Sequence, residues 1–450
     1  MKLIRMTNYL RFTATGLTLA LAGWCTQAAA GADTTRIEKG RYLAIVADCA
    51  ACHTAKGGKP FAGGRGIASP IGTIYSTNIT PDPRTGIGGY TLADFDRALR
   101  HGIAKDGTTL YPAMPYVSYS KVAPQDVQAL YAYFMHAVAP VEQANKAEGI
   151  RWPLSMRWPL RFWRMAFAPR PVQASADGNM DGNANTSEPA SDDPVLRGRY
   201  LVEGLAHCGA CHTPRGFALQ EKALSDTTKT YLSGAVVDGY LAKNLRGDPK
   251  NGLGTWSEDD IAAFLKRGRS DDAAAFGGMA EVVAHSTQYM SDADLAAIAA
   301  YLKSLSPLDP NGDALMADDT AATALRSGAD RSNGALTFVD NCAACHRTSG
   351  AGYDDTFPKL ARSSVVNSDN AASLIRIVLL GSEMPSTQAA PTHYAMPGFA
   401  ARLTDRDIAD VLTFVRASWG NHAPAVKAAD VAKARAAAHA APPPRRAENE

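Results

Sequence analysis

Cys49-Ala50-Ala51-Cys52-His53 is the first of three copies of one five-residue pattern in this chain. The other two are Cys208-Gly209-Ala210-Cys211-His212 and Cys342-Ala343-Ala344-Cys345-His346. Together the copies use six of the seven cysteines of the 450-residue chain, and each places a histidine directly after the second cysteine. A pattern that recurs at this spacing indicates three similar structural units.

The pattern brings together the groups that attach a porphyrin covalently. Two thiols on one short turn can add to the two vinyl groups of a haem, and the histidine that follows can bind its iron. The alternatives are a zinc site, a redox dithiol and a structural disulfide. Zinc usually takes four ligands, and a redox dithiol needs no histidine. Neither the zinc site nor the redox dithiol explains why the pattern occurs three times. We therefore predict three covalently bound haem c groups, with thioether bonds at Cys49, Cys52, Cys208, Cys211, Cys342 and Cys345 and iron ligands at His53, His212 and His346.

A methionine beside proline or glycine follows each histidine and is predicted to be the second iron ligand. These residues are Met114, Met279 and Met396. Pro and Gly favour a rigid loop that presents the thioether, whereas a packing methionine is the alternative. Met290 and Met384 are second choices in the second and third units. A His/Met pair favours Fe(II) and leaves no open position on the iron, which predicts electron transfer and assigns no catalytic residue to this chain.

Further repeats extend each unit beyond its haem motif. Gly40-Arg41-Tyr42-Leu43 and Gly198-Arg199-Tyr200-Leu201 precede the first two motifs, and Gly334-Ala335-Leu336 precedes the third. Each is predicted to begin a short amphipathic helix that ends at the cysteines. A closing helix with aromatic residues on its apolar face is expected to cross it. The predicted domains are residues 33–146, 194–306 and 332–422.

The remaining segments are predicted to lie outside these domains. Residues 1–30 are predicted to be a signal peptide, because basic residues precede an apolar run and small residues follow it. Residues 147–193 form a Trp/Arg-rich strap and a linker, residues 307–331 form a second polar linker, and residues 423–450 form an Ala/Pro-rich tail. After the signal peptide, no stretch of 18 or more apolar residues occurs.

Residues 151–170 hold half of the tryptophans of the chain together with five arginines. Three interpretations remain open. The segment can be a strap over the first domain, with Arg stacked on Trp or paired with haem propionates. It can instead be a docking surface for another subunit, or a surface that contacts lipid.

The charge balance argues against nucleic-acid binding. The formal net charge is +2, and without the signal peptide the chain is nearly neutral, whereas a nucleic-acid binder shows a strong basic excess. No nucleotide-binding glycine loop, catalytic triad or metalloprotease helix occurs in a plausible context.

Two stretches carry a resemblance to a known family. Ser76-Thr77-Asn78-Ile79-Thr80-Pro81-Asp82 and Leu110-Tyr111-Pro112-Ala113-Met114-Pro115-Tyr116 resemble the triheme cytochrome c subunit of membrane-bound bacterial dehydrogenases, which serves alcohol, gluconate, sorbitol, fructose and aldehyde oxidation. The resemblance runs from about residue 35 to residue 422. It implies a mainly α structure of three tandem class I cytochrome c domains joined by flexible linkers. The ligand pairs it implies are His53/Met114, His212/Met279 and His346/Met396.

The resemblance also implies a function and a location. The chain would be the electron-transfer subunit of a complex that oxidises CH-OH or aldehyde donors, on the periplasmic side of the bacterial cytoplasmic membrane and peripherally attached to it. A quinoprotein, flavoprotein or molybdenum subunit would supply electrons, and ubiquinone would accept them. The alternatives are an independent multihaem carrier that feeds a terminal oxidase and, should a methionine ligand be absent, a haem peroxidase.

Overall fold

The computed structural model describes residues 33–173, 192–310, 312 and 314–440. Helices dominate this part of the chain and its strands are short. The predicted signal peptide and most of the linker before residue 194 lie outside the described residues. None of the helices in the described ranges combines the length and the apolar character that crossing a membrane requires.

The first unit combines helices with a small antiparallel sheet of order β1-β2-β3. In chain order its elements are α1 (33–46), α2 (Cys49–His53), β1 (Gly66–Ser69), β2 (Gly72–Tyr75), α3 (Leu92–His101), α4 (Tyr116–Tyr119), α5 (Pro124–His136) and β3 (Gly149–Ile150). Thr91 caps α3 in a capping box with Asp94, and Gly102 ends it with φ 66°. A further helix, α6 (Leu160–Phe167), lies in the predicted strap.

The second unit repeats this order. Its elements are α7 (Pro194–Tyr200), a π-helical turn (Leu201–Leu205), α8 (Gly209–His212), β4 (Ala235–Val237), β5 (Tyr240–Ala242), α9 (Glu258–Arg267), α10 (Gly278–His285), a 3-10 turn (Thr287–Tyr289) and α11 (Asp292–Ser304). Strands β4 and β5 form an antiparallel hairpin. Ser291 caps α11 by accepting from the backbone N–H of Asp294, as the acidic first turn of the sequence predicts.

The third unit has its own hydrophobic core. Its elements are α12 (Thr320–Ser327), α13 (Asn333–Asn341), α14 (Ala343–His346), α15 (Ala372–Leu380), β6 (Ser382–Glu383), β7 (Ala395–Met396), α16 (Asp405–Ala417) and α17 (Ala428–Ala440). Two of these helices lie in segments predicted to be outside the domain. Helix α12 falls in the predicted linker 307–331, yet its Ala322 is buried in the core. The alanine-rich pattern of this helix is too weakly apolar to be recognised as core-facing in the sequence.

Helix α17, in the predicted tail beyond residue 422, packs against the third unit. Val431 is completely buried against the third unit, and Arg435 donates to Asp405 at 2.7 Å. The predicted tail therefore contributes to the core of this unit over Ala428–Ala440. Residues 441–450 lie outside the described residues.

A glycine in the first helix of each unit allows the closing helix to cross it, as the sequence predicts. A Cβ atom at Gly40 would lie 1.9 Å from the carbonyl oxygen of Ala129, and one at Gly198 would lie 1.9 Å from that of Ala297. In the third unit, a Cβ at Gly334 would lie 2.4 Å from a carbonyl oxygen of α16. The prediction that these glycines begin their helices is wrong for Gly40 and Gly198, because backbone contact requires glycine at the crossing point within the helix.

The first two units face each other with a reciprocal exchange of hydrogen bonds. Tyr42 of the first unit donates to Asp294 of the second at 2.5 Å, and Tyr200 of the second donates to Asp126 of the first at 2.6 Å. Each carboxylate also pairs with a cation of its own unit, Asp126 with Lys39 and Asp294 with Arg197. Equivalent residues contact each other in both directions, as in a two-fold symmetric dimer.

The three units are therefore packed against one another. One hydrophobic cluster contains residues of both the first and the second unit, among them Leu43, Leu130, Leu205 and Ile298. The third unit contacts the second through polar groups near the β4–β5 hairpin of the second unit. The hydroxyl of Ser373 accepts from the backbone N–H of Leu241 at 2.7 Å. Inter-unit packing fixes the relative positions of the three cysteine motifs.

Candidate haem-binding sites

Each cysteine motif forms a single helical turn directly after the first helix of its unit. The residue before the first motif, Asp48, has φ 50°, and the residue before the second, His207, has φ 38°. These left-handed positions redirect the chain from the first helix into the motif. In every motif the first cysteine is half-buried and the second is exposed, so the two thiols of a turn differ in depth in the same way in all three units.

A backbone carbonyl holds the ring of each motif histidine. The Nδ1 atom of His53 lies 2.7 Å from the carbonyl oxygen of Thr77, that of His212 lies 2.8 Å from Lys243, and that of His346 lies 2.9 Å from Pro358. A histidine that ligates a metal generally donates its other ring N–H to such an acceptor, which fixes the tautomer and the ring orientation. In all three motifs this hydrogen bond leaves Nε2 as the nitrogen available for iron.

The three carbonyls that accept from the histidine rings were not identified in the sequence. A repeated asparagine, however, marks the position of two of them. Thr77 and Lys243 follow the hairpins β1–β2 and β4–β5, and each precedes a buried asparagine, Asn78 or Asn244. The side-chain oxygen of each asparagine accepts from the backbone N–H two residues later, at 2.9 Å in both units. The Asn-Ile and Asn-Leu repeat therefore marks the loop that positions the histidine.

Glycines hold the other side of each turn. The backbone N–H groups of Gly63 and Gly234 donate to the carbonyls of His53 and His212 at 2.7 Å, and Gly352 donates to His346 at 3.1 Å. All three glycines have positive φ, between 64° and 96°, a conformation that other residues rarely adopt. The histidine of each motif is thus fixed through both its ring and its backbone.

The pKa shifts of these groups argue against dithiol redox chemistry. Burial lowers the pKa of His212 to about 4 and lowers the pKa of His53 and His346, which keeps the imidazoles neutral as iron ligands require. Burial raises the pKa of Cys49 to about 12 and that of Cys208 to about 12. Redox-active dithiols instead depend on a lowered thiol pKa.

The three predicted methionine ligands lie in different local structures. Met114 is half-buried in the turn before α4, as a rigid loop predicts. Met279 instead lies in the first turn of α10, directly after Gly277 (φ 55°) and Gly278. Met396 lies in β7, paired with Ser382 of β6. The prediction of a loop is wrong for the last two, because the local chain forms a helix and a strand there.

The second-choice methionines have different surroundings. Met290 is 1 % exposed within the cluster shared by the first two units, which is the environment of a packing methionine. Met384 is half-buried and its backbone N–H donates to Tyr394 at 3.0 Å, so it lies beside the β6–β7 pair that carries Met396. Met279 and Met290 therefore differ in burial and in local structure, whereas Met384 and Met396 lie in one region.

The donor set of each unit fits haem c. Two thiols lie on one turn, a neutral imidazole is oriented by a carbonyl, and a half-buried methionine follows in the same unit. Among the described residues, these are the groups that thioether attachment and two-sided iron ligation require. The fit holds independently in all three units.

Arginine 65 connects the first motif with the second unit. Arg65 donates to the carbonyl of Ala51 within the motif at 2.7 Å and pairs with Glu281 on α10. Glu281 lies two residues after Met279. Lys243 makes the corresponding link from the second unit to the third, since its carbonyl holds His212 and its ammonium donates to Ser364 at 2.6 Å.

Known proteins resemble this chain over all three units. The cytochrome c family model matches residues 37–137, 195–306 and 332–419, one range in each unit. The chain is 54% identical to the gluconate 2-dehydrogenase cytochrome c subunit of Pantoea cypripedii, covering 90% of each chain. It is 52% identical to the cytochrome c subunit of alcohol dehydrogenase (quinone) of Gluconacetobacter polyoxogenes, over 96% of this chain and 91% of that one.

A relative of lower sequence identity is also a cytochrome subunit of a dehydrogenase. The fructose dehydrogenase cytochrome subunit of Gluconobacter japonicus is 38% identical over 90% of this chain and 84% of its own. Three matched ranges coincide with three cysteine motifs and three carbonyl-held histidines. Cytochrome c domains bind haem c covalently, and the mainly helical fold predicted from the sequence is confirmed. The chain belongs to the cytochrome c family.

Proposed function

We propose that this chain is the electron-transfer subunit of a dehydrogenase complex that oxidises CH-OH donors. The observation that carries the proposal is the threefold repetition of one cysteine turn with its histidine ring held by a carbonyl. The relatives named above are cytochrome subunits of gluconate, alcohol and fructose dehydrogenases. A separate catalytic subunit would supply the electrons, and ubiquinone would accept them, at the periplasmic side of the membrane.

The residues proposed to hold the haems act as fixed ligands. Bound haem c supplies a one-electron carrier whose potential depends on its axial ligands. His53, His212 and His346 would bind the iron through Nε2, and their carbonyl partners keep each ring from rotating. Met114, Met279 and Met396 would supply the second ligand of each iron. A site held this rigidly changes little between oxidation states, which favours fast electron exchange.

The second unit contacts both of the other units. The first motif touches the second unit through Arg65 and Glu281, and helices α2 and α10 contact each other. The second unit touches the third through Lys243 with Ser364 and Lys359 with Asp272. We infer that the chain arranges its sites in series, as a connection between a donor and an acceptor at separate positions requires.

The proposal predicts that the isolated chain oxidises no substrate. The chain is to be purified from detergent-solubilised membranes of its native host, once with its partner and once alone. Ethanol or gluconate is then added while the haem absorbance is recorded. We expect reduction of the haems only in the preparation that contains the large catalytic subunit, because the proposal assigns substrate oxidation to that subunit and electron transfer to this chain.

Two results would contradict the proposal. Substrate-driven haem reduction by the chain alone would make it an enzyme. Purification without any large partner, combined with rapid electron delivery to a terminal oxidase, would instead make it an independent carrier.

A further inference from the structure

The cysteine turns of the first and second units lie near each other. Glu281 of the second unit pairs with Arg65, which donates to the carbonyl of Ala51 inside the first turn at 2.7 Å. Burial is the main cause of the raised pKa of Cys52, and the smaller causes include the charges of Glu281 and of Cys211 in the second turn. The two turns are therefore close enough for their cysteines to interact.

His207, the residue directly before Cys208, reaches from the second turn to the first unit. Its ring packs edge-to-face against the ring of Tyr119, with centroids 5.7 Å apart, and donates a hydrogen bond to the carbonyl of Ala47. The hydroxyl of Tyr119 donates to the same carbonyl at 3.0 Å. Ala47 lies two residues before Cys49. One half-buried imidazole thus joins the chain at the second cysteine turn to the chain at the first.

A one-residue difference between the two units gives His207 this position. Eight positions separate Tyr200 from Cys208, one more than separate the equivalent tyrosine and cysteine of the first unit. The additional residue is accommodated in the π-helical turn Leu201–Leu205, and turns of this kind occur frequently at functional sites. His207 itself has φ 38°, a left-handed conformation that a bulky residue adopts only at a cost in energy.

Neighbouring contacts hold the π-helical turn against the first unit. The buried carboxylate of Glu203 within this turn accepts from Lys121 of the first unit at 2.6 Å. In the third unit, Asn341 precedes the first cysteine of the motif and donates instead to the carbonyl of Thr337 in its own helix, at 2.9 Å. The contact made by His207 is therefore not a general property of a cysteine turn.

We propose that His207 is a positioning residue that connects the first and second haems for electron exchange. The inference rests on the proposed function, because it concerns electron transfer along this chain. Electron tunnelling weakens steeply with distance, and it weakens less through bonded and hydrogen-bonded atoms than across a gap. Thioether bonds would fix the haems to Cys49 and Cys208, so a connection through Ala47 and His207 crosses a single non-covalent contact. The exchange moves one electron from a ferrous to a ferric haem and moves no proton.

The test follows electron redistribution in the full haem-loaded chain. Pulse radiolysis delivers one electron to the fully oxidised chain, and the haem absorbance records its passage between haems. The kinetic phase that is absent from a Cys49→Ala, Cys52→Ala variant belongs to exchange with the first haem. We expect His207→Asn to slow this phase by about an order of magnitude, because asparagine tolerates the left-handed backbone but is too short to reach the ring of Tyr119.

Tyr42→Phe is the matched control. It also removes a contact between the first two units, the hydrogen bond to Asp294, but Tyr42 belongs neither to a cysteine turn nor to the connection through His207. This variant is expected to show the unaltered exchange rate, and both variants are expected to keep the midpoint potentials of all haems. An unchanged rate in His207→Asn overturns the proposal. Equal slowing in Tyr42→Phe also overturns it, because looser packing of the units would then explain the effect.

The midpoint potentials and the electron source separate the remaining outcomes. Slower exchange in His207→Asn together with shifted potentials overturns the proposal, because the driving force would then have changed. Pulse radiolysis supplies electrons without a catalytic subunit, so the result for His207→Asn does not depend on the donor. Failure of substrate to reduce the haems in the unaltered complex contradicts the proposed function and leaves the role of His207 standing.

Discussion

Replacing Gly198 with alanine is expected to lower the melting temperature of the haem-loaded chain by roughly 6–12 °C. The added Cβ would lie 1.9 Å from the carbonyl oxygen of Ala297 and 2.7 Å from the Cβ of Tyr301. Helices α7 and α11 would have to separate, which disturbs the core shared by the first two units. Overpacking of this kind costs about 3 kcal/mol of unfolding free energy. Thermal unfolding followed by circular dichroism measures the shift.

Gly204 provides a matched control in the same unit. A Cβ at Gly204 would meet only the Cβ of Lys121 within 4 Å, at an ordinary contact distance of 3.7 Å. Gly204→Ala is therefore expected to leave the melting temperature nearly unchanged. Equal melting temperatures for the two alanine variants would show that the close helix crossing does not support the fold.

Replacing Met279 with leucine is expected to lower the midpoint potential of one haem on the order of a few hundred millivolts, because the axial ligand sets potential over a range of about 0.8 V. The thioether favours Fe(II), and leucine offers no ligand in its place. The altered haem should also bind carbon monoxide after reduction, since one position on its iron becomes open. Redox titration and the carbon monoxide difference spectrum measure the two effects.

The buried Met290 provides the control for this change. Met290→Leu conserves volume in a core position, so it should cost less than about 1.5 kcal/mol and leave all three potentials unaltered. In the third unit, Met396→Leu and Met384→Leu form the corresponding pair. We expect only Met396→Leu to free a coordination position on the iron of a haem. A potential shift in Met290→Leu or Met384→Leu, with none in its partner, would assign the ligand to the other methionine.

Much of this architecture follows from the sequence because it depends on local patterns. The cysteine motifs predict covalent haem, and the repeated Gly-Arg-Tyr sequences predict equivalent first helices. The crossing of first and closing helices is also predicted, since aromatic residues such as Tyr301 recur on the closing helix. The capped starts of α11 and α16 follow from Ser291 and Thr404, each with an aspartate three residues later.

The arrangement of the units relative to one another does not follow from local patterns. Tyr42 and Tyr200 occur at equivalent positions in the sequence, but nothing nearby shows that each donates to the other unit. The carbonyls that orient the histidines cannot be predicted from the sequence either, because every residue type has a backbone carbonyl. Thr77, Lys243 and Pro358 share no side-chain chemistry, and only their backbone position matters.

The third unit departs furthest from the sequence expectation for a related reason. The helix before its cysteine motif, α13, lacks the tyrosine that joins the other two units, and Leu336 stands at that place with 49 % exposure. Its core is completed instead by α12 and α17, which lie outside the repeated region. Segments rich in alanine bury little area per residue, so their docking is decided by the surface that receives them.

Three haem groups are expected to be attached to this one chain. Mass spectrometry of the polypeptide, produced in a host that performs cytochrome c maturation, measures this directly. We expect a mass that exceeds the polypeptide by three haem groups, and two groups in a Cys208→Ala, Cys211→Ala variant. Fewer than three groups on the unaltered chain would contradict the account.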